Sequence, residues 1–391
     1  MKLKDNWVIL GLCIVLAAIN INKAYHIDDA FHLESAKWIW EHPLTPMSGQ
    51  INWYDNNEDM HHFNQPPLLF YLIALVGGLF GYSEPVLHLI IAFFCWLSIW
   101  YFNRLLKYFN AEHRYYLLAI FALCPAFIVN QNLMTDIPIL SLELGFLYHY
   151  LQEDNRRKHL ILAMLFLGSA LLIKYSMIPL LLAALIGLII RKEFRQIPIL
   201  LIPVVFLLLW TAWNKLEYGG VHIQDRPKND ISFKLAYEQF IALLSCIGSV
   251  LPIPLLFWNG IKPSRGWMYL SLLSMSLFGA FAGLVYLDKI QITPANFALN
   301  LVFIAIGSLL FIALVIYLVR GIKSIVKDKQ IIQYYHFAIL SIMLGGMTLF
   351  LLLYAPFMAT RHWLLLMPFL FLLMLPVLNV SKGNIWKNAL F

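Results

Sequence analysis

The sequence predicts an all-α polytopic membrane protein, a bundle of about twelve transmembrane helices, from three observations. Hydrophobic residues make up 61% of the 391 residues and charged residues only 13%, which is half the usual share in soluble domains. Apolar runs of roughly the 20 residues that a bilayer core requires recur along the whole chain. Basic residues concentrate in alternate loops. No soluble domain of useful size is left over.

The individual spans are placed on the apolar runs between charged or turn-forming loops. Residues 66–80, PPLLFYLIALVGGLF, are apolar but short. We interpret them as a re-entrant or interfacial helix with both ends outside, because a spanning helix here would invert every later loop. The predicted spans are 7–22, 85–106, 114–131, 135–151, 159–174, 177–190, 197–214, 237–259, 267–287, 297–320, 333–354 and 362–378.

The charge distribution supports this topology. With the N-terminus inside, most of the 28 basic residues fall in inner loops, whereas acidic residues collect in outer loops. Both termini are then cytoplasmic. The net charge of +7 is accordingly a topology signal, and binding of nucleic acid is not expected. Lysines before an apolar run, such as Lys2 and Lys4, are also typical of a secretory signal peptide. The many later spans favour a first helix that is not cleaved off.

The longest polar segment is the predicted outer loop 23–66, which begins with the acidic pair Asp28 and Asp29 in AYHIDDAFHLE. Apolar residues recur at helical spacing from Asp28 to Trp40, with charges between them. This pattern predicts an amphipathic juxtamembrane helix that lies in the membrane interface. One aspartate is expected to be the N-cap of this helix. Capping requires only one carboxylate, so the other remains for chemistry.

Few other ionisable residues lie at the predicted outer ends of the spans. Asp136 begins the fourth span in TDIP, Lys174 and Tyr175 lie between two short spans in LIKY, and Arg361 begins the last span. Ionisable groups at membrane depth are costly, and we treat these as functional candidates. For Lys174 and Arg361 the alternative is snorkelling, in which the long side chain extends to the membrane interface and has no functional role.

A histidine pair, His61 and His62, follows Asp55, Glu58 and Asp59 in the same outer loop. Histidine and carboxylate side chains are metal ligands, but this spacing matches no closed zinc pattern. A solvated loop is the simpler interpretation. The sequence identifies no certain cofactor and leaves a divalent metal ion open.

The order of these motifs resembles a known family. DDAF in the first outer loop, then HHFNQPPLLFYL, TDIP and LIKY are similar to the GT-C superfamily of polyprenyl-phosphate-sugar-dependent glycosyltransferases, which includes the protein O-mannosyltransferases and the lipid A aminoarabinose transferase. The resemblance covers about the first 190 residues. It implies a single integral membrane domain over 1–391, with a catalytic core at 1–190 and additional transmembrane helices at 191–391.

The resemblance also implies roles for individual residues. Asp28 matches the first aspartate of an Asp-Glu motif at the reaction centre, and Asp29 replaces the family's glutamate. Asp136 is expected to line the same cavity, so the catalytic candidates are these three carboxylates. Lys174 is expected near the donor phosphate. The other substrate-binding candidates are Tyr175, Arg361, His62, Gln65 and Tyr71.

The implied reaction is an inverting displacement. An acceptor hydroxyl, with Asp28 as base, attacks the anomeric carbon of a sugar on polyprenyl phosphate, and the lipid phosphate leaves beside Lys174. The partners are the lipid-linked donor, a glycan, lipid or protein acceptor, and membrane lipids. The expected location is the outer face of a plasma membrane. The second polar loop, 215–236, is interpreted as an acceptor or lid segment or as a solvated connector.

A multi-span transporter or lipid flippase is the alternative function. About twelve spans with both termini inside is a common transporter layout. Transporters place ionisable residues near the middle of the bilayer, however, and here these residues collect at one end of the spans. Glu143 alone is predicted to lie deep in a span. The sequence therefore favours group transfer over transport.

Overall fold

The structure is a computed structural model with side chains. The protein is a helical, multi-span membrane protein, and within the described residues one small two-stranded sheet accompanies the helices. The described residues are 3–53, 56–63, 65–111, 114–225, 232–250, 294–328, 331–355 and 357–378.

The helices follow the predicted spans closely. Most boundaries differ from the sequence-based limits by only a few residues, because charged and turn-forming residues flank each apolar run. In chain order the helices are α1 (Leu3–Asn20), α2 (Ile27–Glu41), α3 (Met60–Phe63), α4 (Leu68–Phe80), α5 (Glu84–Tyr108), α6 (Arg114–Ala122), α7 (Pro125–Val129), α8 (Asp136–Leu151), α9 (Arg156–Leu171), α10 (Ile178–Ile190), α11 (Leu201–Glu217), α12 (His222–Asp225), α13 (Phe233–Val250), α14 (Pro294–Asp328), α15 (Tyr335–Tyr354), α16 (Thr360–Trp363) and α17 (Met367–Leu378).

Length and hydropathy confirm the membrane class. Among the described residues, five helical segments are long and apolar enough to cross a bilayer, and Leu68–Phe80 and Tyr175–Ile190 are shorter apolar helices. The predicted span 267–287 lies outside the described residues, as does part of 237–259. The total of about twelve spans therefore stays a prediction. The five segments are Glu84–Tyr108, Phe194–Glu217, Phe233–Val250, Leu299–Asp328 and Tyr335–Tyr354.

Two predicted spans are interrupted: 114–131, and the start of 362–378, where α16 ends at Trp363 and α17 begins at Met367. Residues 114–131 form α6 and α7 instead of one continuous helix, and α7 begins at Pro125. Proline has no backbone N–H to donate to the preceding turn, and its ring disfavours helical geometry in the residue before it. A helix therefore restarts at this proline more readily than it continues through it. The number of apolar residues in this segment does not by itself predict the break.

The first polar loop has more structure than the sequence predicted. The amphipathic helix expected from Asp28 to Trp40 is present as α2. An antiparallel hairpin of β1 (Gln50–Trp53) and β2 (Asn56–Asp59) follows it, with Gln50 opposite Asp59. The hairpin was not predicted. A small apolar core fixes the loop, made of Phe31, Met47, Ile51 and Met60 with Trp38, Trp210 and Tyr218 packed against it.

The start of α1 is tied to the turn between α5 and α6. The buried carboxylate of Asp5 accepts hydrogen bonds from Lys107, from Arg114 at 2.6 Å and from the Tyr115 hydroxyl at 2.6 Å. These segments were both assigned to the inner side from the positive charges around them. Their contact requires only that both lie on the same side of the bilayer, because loops on opposite sides do not meet. The inner side stays a prediction.

The chain divides into two compact units. The first contains Met1–Leu123 and Phe127–Lys228, and the second contains Cys124–Ala126 and Asn229–Phe391. All catalytic candidates from the sequence lie in the first unit. The interpretation of residues 1–190 as a catalytic core and 191–391 as additional helices stays a prediction.

Candidate functional site

The two aspartates at the start of α2 have different environments. The N-cap is His26, so neither aspartate occupies the N-cap position that was expected for one of them. Asp29 nevertheless holds the helix start, since its Oδ2 accepts a hydrogen bond of 2.7 Å from the His26 backbone N–H. This is the backward half of a capping box. Asp28, in the first turn beside it, is half-buried.

The Asp29 carboxyl group is fully buried. Burial raises its pKa, and the neighbouring Asp28 charge acts in the same direction, while the bond from His26 and the positive charge of Lys23 oppose this. Within the described part of the chain, Oδ1 of Asp29 has no hydrogen-bond partner. Asp28 is therefore the more accessible carboxylate of the pair, whereas Asp29 holds the helix start through His26. The catalytic role expected for each stays a prediction.

Asp136 and Lys174 form an ion pair. Asp136 is the first residue of α8 and is fully buried, and Lys174 lies in the short break between α9 and a 3₁₀ turn. Lys174 Nζ donates a hydrogen bond of 3.0 Å to Asp136 Oδ1. The lysine side chain keeps 17% of its surface exposed. An ammonium group has three donors, so it can bind a second anion without leaving Asp136.

His32 links α2 to this ion pair. Its buried ring donates from Nδ1–H to the carbonyl oxygen of Leu133 at 2.6 Å, because a carbonyl oxygen can only accept. Burial lowers the pKa of His32, the carbonyl bond and the charges of Asp28 and Asp136 raise it, and Lys174 lowers it. The charges of Asp28, Asp136 and Lys174 therefore all act on this one imidazole. We call these four groups the acidic-basic cluster.

An apolar cavity of about 420 Å³ lies close by in the same unit. Leu172 lines it, two residues before Lys174, and so does Trp210, whose indole N–H donates to the Tyr175 hydroxyl at 3.0 Å. Tyr71 also lines the cavity and donates to the Pro43 carbonyl oxygen at 2.6 Å. The remaining lining residues are Pro43, Leu44, Pro46, Pro67, Leu68, Phe206, Leu209 and Trp213.

The predicted substrate-binding residues are distributed unevenly. Tyr175 is buried with its hydroxyl engaged, Gln65 and Tyr71 are half-buried, and His62 is exposed. Arg361 lies in α16 of the second unit, with its guanidinium 5.2 Å from the ring centre of Phe357. These roles stay predictions. Among the described residues no group of three metal-ligating side chains is close enough to hold a metal ion.

Sequence reasoning missed two histidines. His32 follows Asp28 by four residues, which places both on the same face of α2, and this spacing was the available signal. His222 lies in the second polar loop, and its Nδ1 is 2.9 Å from the Tyr175 hydroxyl. No local pattern reveals His222, because the two residues are 47 positions apart.

One family model matches the chain. The family described as dolichyl-phosphate-mannose-protein mannosyltransferase matches residues 64–213. The resemblance inferred from the sequence is therefore confirmed over this segment. The segment contains Asp136 and Lys174, whereas Asp28 and Asp29 precede it. No curated protein matches the chain.

The solved structures that are similar to the chain include two of ArnT from Cupriavidus metallidurans. The apo structure has a TM-score of 0.45 at 14% identity and covers 97% of this chain and 78% of ArnT. The structure bound to undecaprenyl phosphate has a TM-score of 0.44 at 14% identity and covers 96% of this chain and 78% of ArnT.

Proposed function

We propose, from the similarity of residues 64–213 to the dolichyl-phosphate-mannose-protein mannosyltransferases, that this protein is a glycosyltransferase with a lipid-linked donor. The sugar moves from polyprenyl phosphate to an acceptor hydroxyl at the outer face of the plasma membrane. The acceptor is a glycan, a lipid or a protein. A polyprenyl phosphate is the donor lipid that we propose, because the description of the matching family names a dolichyl-phosphate-linked sugar.

The observation that carries the proposal is the position of Lys174. Its ammonium group is partly exposed, is paired with Asp136 at 3.0 Å, and belongs to the segment whose residue Leu172 lines the apolar cavity. A polyprenyl phosphate has the matching chemistry, an anionic head on an apolar chain. The segment that contains Leu172 and Lys174 therefore supplies an apolar wall for the chain and a cation for the head.

In the proposed reaction Asp28 acts as the base. Its carboxylate takes the proton of the acceptor hydroxyl while the oxygen forms a bond to the anomeric carbon. The bond from that carbon to the phosphate oxygen breaks on the opposite face, which inverts the configuration, and its electron pair leaves with the lipid phosphate. General base catalysis typically contributes a factor of about 100 to 10,000.

The remaining groups of the acidic-basic cluster support these two roles. Lys174 stabilises the negative charge that develops on the departing phosphate. Asp136 holds the ammonium group in place. His32, through its hydrogen bond to Leu133, ties the helix that carries Asp28 to the segment before Asp136. Asp29 fixes the first turn of the same helix through His26.

The test is transfer by the purified protein in lipid nanodiscs. Polyprenyl-phosphate sugars are supplied as donors, and mass spectrometry follows the glycosylated acceptor and the released polyprenyl phosphate. Mass spectrometry of the lipids that copurify with the protein identifies the native donor class. We expect a polyprenyl phosphate or its sugar adduct. Movement of labelled lipid between leaflets of proteoliposomes, with no sugar transferred, would instead establish the transporter alternative.

A further inference from the structure

A chain of hydrogen bonds joins the two polar loops to the segment that carries Lys174. His61 Nε2 donates to Asn214 Oδ1 at 2.7 Å, and Asn214 Nδ2 donates to the Trp210 carbonyl oxygen at 2.6 Å. The Trp210 indole N–H donates to the Tyr175 hydroxyl oxygen at 3.0 Å. That hydroxyl lies 2.9 Å from Nδ1 of His222. We call this chain the loop network.

Two hydrogen bonds meet at the Tyr175 hydroxyl. An indole N–H only donates, so the Tyr175 oxygen accepts from Trp210. The second hydrogen bond joins the hydroxyl to His222 Nδ1, and the tautomer of that ring sets which of the two groups donates. His222 is buried and its ring centre is 5.4 Å from that of His61. The Tyr175 hydroxyl is held from two sides.

The network ends next to Lys174. Tyr175 is the following residue, and Lys174 is in extended geometry, with φ −158° and ψ 130°, in the break after α9. On one side the Lys174 backbone N–H donates to the Ala170 carbonyl oxygen of α9 at 2.8 Å. On the other side the buried Tyr175 side chain is the anchor, so a displacement of its ring moves the Lys174 backbone and shifts its ammonium group relative to Asp136.

We propose that Tyr175 and His222 are positioning residues for Lys174. This inference rests on the proposed function and changes the role expected for Tyr175. A tyrosine that stacks on sugar or prenyl chain requires an accessible ring, whereas this ring is 7% exposed. Its hydroxyl is the functional part. The second polar loop then contributes to the site through His222, which neither the lid nor the connector interpretation included.

The first experiment measures the position of Lys174 without any transfer assay. The whole protein in nanodiscs is acetylated with an amine-reactive ester, and the labelling rate of Lys174 is followed by mass spectrometry. Removing the Tyr175 hydroxyl in Tyr175→Phe, or the imidazole in His222→Leu, should raise the rate severalfold because the ion pair with Asp136 loosens. His222→Asn places an amide near the position of Nδ1 and should restore the wild-type rate.

A matched control separates positioning from loss of a buried hydrogen bond in general. Tyr150 is fully buried and donates to the Ala184 carbonyl oxygen at 2.8 Å in the same unit. Tyr150→Phe should lower the thermal unfolding midpoint about as much as Tyr175→Phe while the labelling of Lys174 stays at the wild-type rate. An equal rise in both variants would overturn the proposal.

The second experiment measures transfer kinetics. Tyr175→Phe and His222→Leu should each lower kcat about tenfold or more with a smaller change in KM, because a displaced cation loses most in the transition state. The double variant should be no slower than the slower single variant, since both act through one contact. Additive losses, or unchanged labelling of Lys174, contradict the positioning role. Absence of transfer by the wild type refutes the proposed function alone, because the labelling result still decides the positioning role.

Discussion

Lys174 Nζ lies 3.0 Å from Asp136 Oδ1, and the pair joins the break after α9 to the first turn of α8. Asp136 is fully buried, whereas the lysine side chain keeps 17% of its surface exposed. A buried carboxylate requires a cation or many donors. A partly exposed cation can bind an additional anion. Asp136 is therefore the structural partner of Lys174, and the exposed part of the lysine side chain is a potential ligand site.

This asymmetry predicts different outcomes for single and double substitutions. Lys174→Gln should lower kcat about 100- to 1,000-fold and also destabilise the protein, because it removes a cation from the site and leaves Asp136 buried without its partner. When Asp136→Asn is added to Lys174→Gln, the buried charge is removed as well. The double variant should therefore recover most of the thermal stability and none of the activity.

Unfolding midpoints in detergent and transfer rates in nanodiscs measure the two quantities separately. Recovery of activity together with stability in the double variant would show that the ion pair is purely structural. Wild-type activity in Lys174→Gln would exclude a role for this lysine at the donor phosphate.

The acidic pair of α2 is predicted to divide its roles. Asp28→Asn should lower kcat by a factor of about 100 to 10,000 with little change in stability, because it removes the proposed base from a half-buried position. Asp29→Asn keeps an oxygen for the His26 N–H but removes a charge from the first helical turn. It should cost about 0.5–1 kcal/mol of stability and less than a tenfold loss in kcat.

Each variant serves as the control for the other, because the two residues are adjacent and both substitutions replace one carboxylate oxygen by an amide nitrogen. Transfer rates and unfolding midpoints are compared at equal protein concentration. A larger loss of kcat in Asp29→Asn than in Asp28→Asn would reverse the assignment.

Much of this arrangement was predictable from local pattern. The apolar runs identified most helices, and the order of DDAF, TDIP and LIKY selected Asp136 and Lys174 as site candidates, although their ion pair was not predicted. The contacts that build the site from remote residues were not predictable. His222 meets Tyr175 across 47 positions, and His61 meets Asn214 across 153. Such pairs depend on the packing of helices, which a local pattern does not encode.

The difference between Asp28 and Asp29 illustrates the same limit. A sequence predicts that a helix begins near an acidic pair, but the choice between them depends on where the first turn starts. The N-cap at His26 turns Asp29 back towards the backbone and leaves Asp28 at the second helical position. A shift of one residue would exchange the two environments.

His32 predicts a dependence of stability on pH. Burial lowers its pKa below the usual 6.5, whereas in the unfolded chain it takes up a proton as the pH falls through that value. The unfolded state then binds more protons than the folded state, so the free energy of unfolding decreases as the pH falls below 6.5 towards the folded pKa. Above 6.5 both states are neutral and this contribution is constant.

The comparison is between wild type and His32→Asn, whose amide can still donate to the Leu133 carbonyl oxygen without titrating. Between about pH 7.5 and about pH 5.5 the unfolding midpoint of wild type should fall more steeply than that of His32→Asn. His62→Asn is the control, since His62 is exposed, and should keep the wild-type slope. Equal slopes in wild type and His32→Asn would contradict the burial argument.

The apolar cavity predicts how the enzyme depends on the length of the prenyl chain. Leu209 lines the cavity and is 66% exposed, so Leu209→Trp fills space without disturbing a packed core. Each buried methylene contributes about 0.8 kcal/mol, and a long-chain donor should therefore lose affinity when the cavity is filled. A donor of about ten carbons has fewer methylenes to bury and should therefore lose less affinity. The measurement is KM for both donors.

Leu208 is the matched control for this substitution. It precedes Leu209 on α11, is 60% exposed and is not part of the cavity lining. Leu208→Trp adds the same ring to the same helix and should leave KM for both donors near the wild-type value. A similar rise in KM for short and long donors in Leu209→Trp would place the prenyl chain elsewhere, because only a chain that enters the cavity can distinguish a filled cavity from an open one.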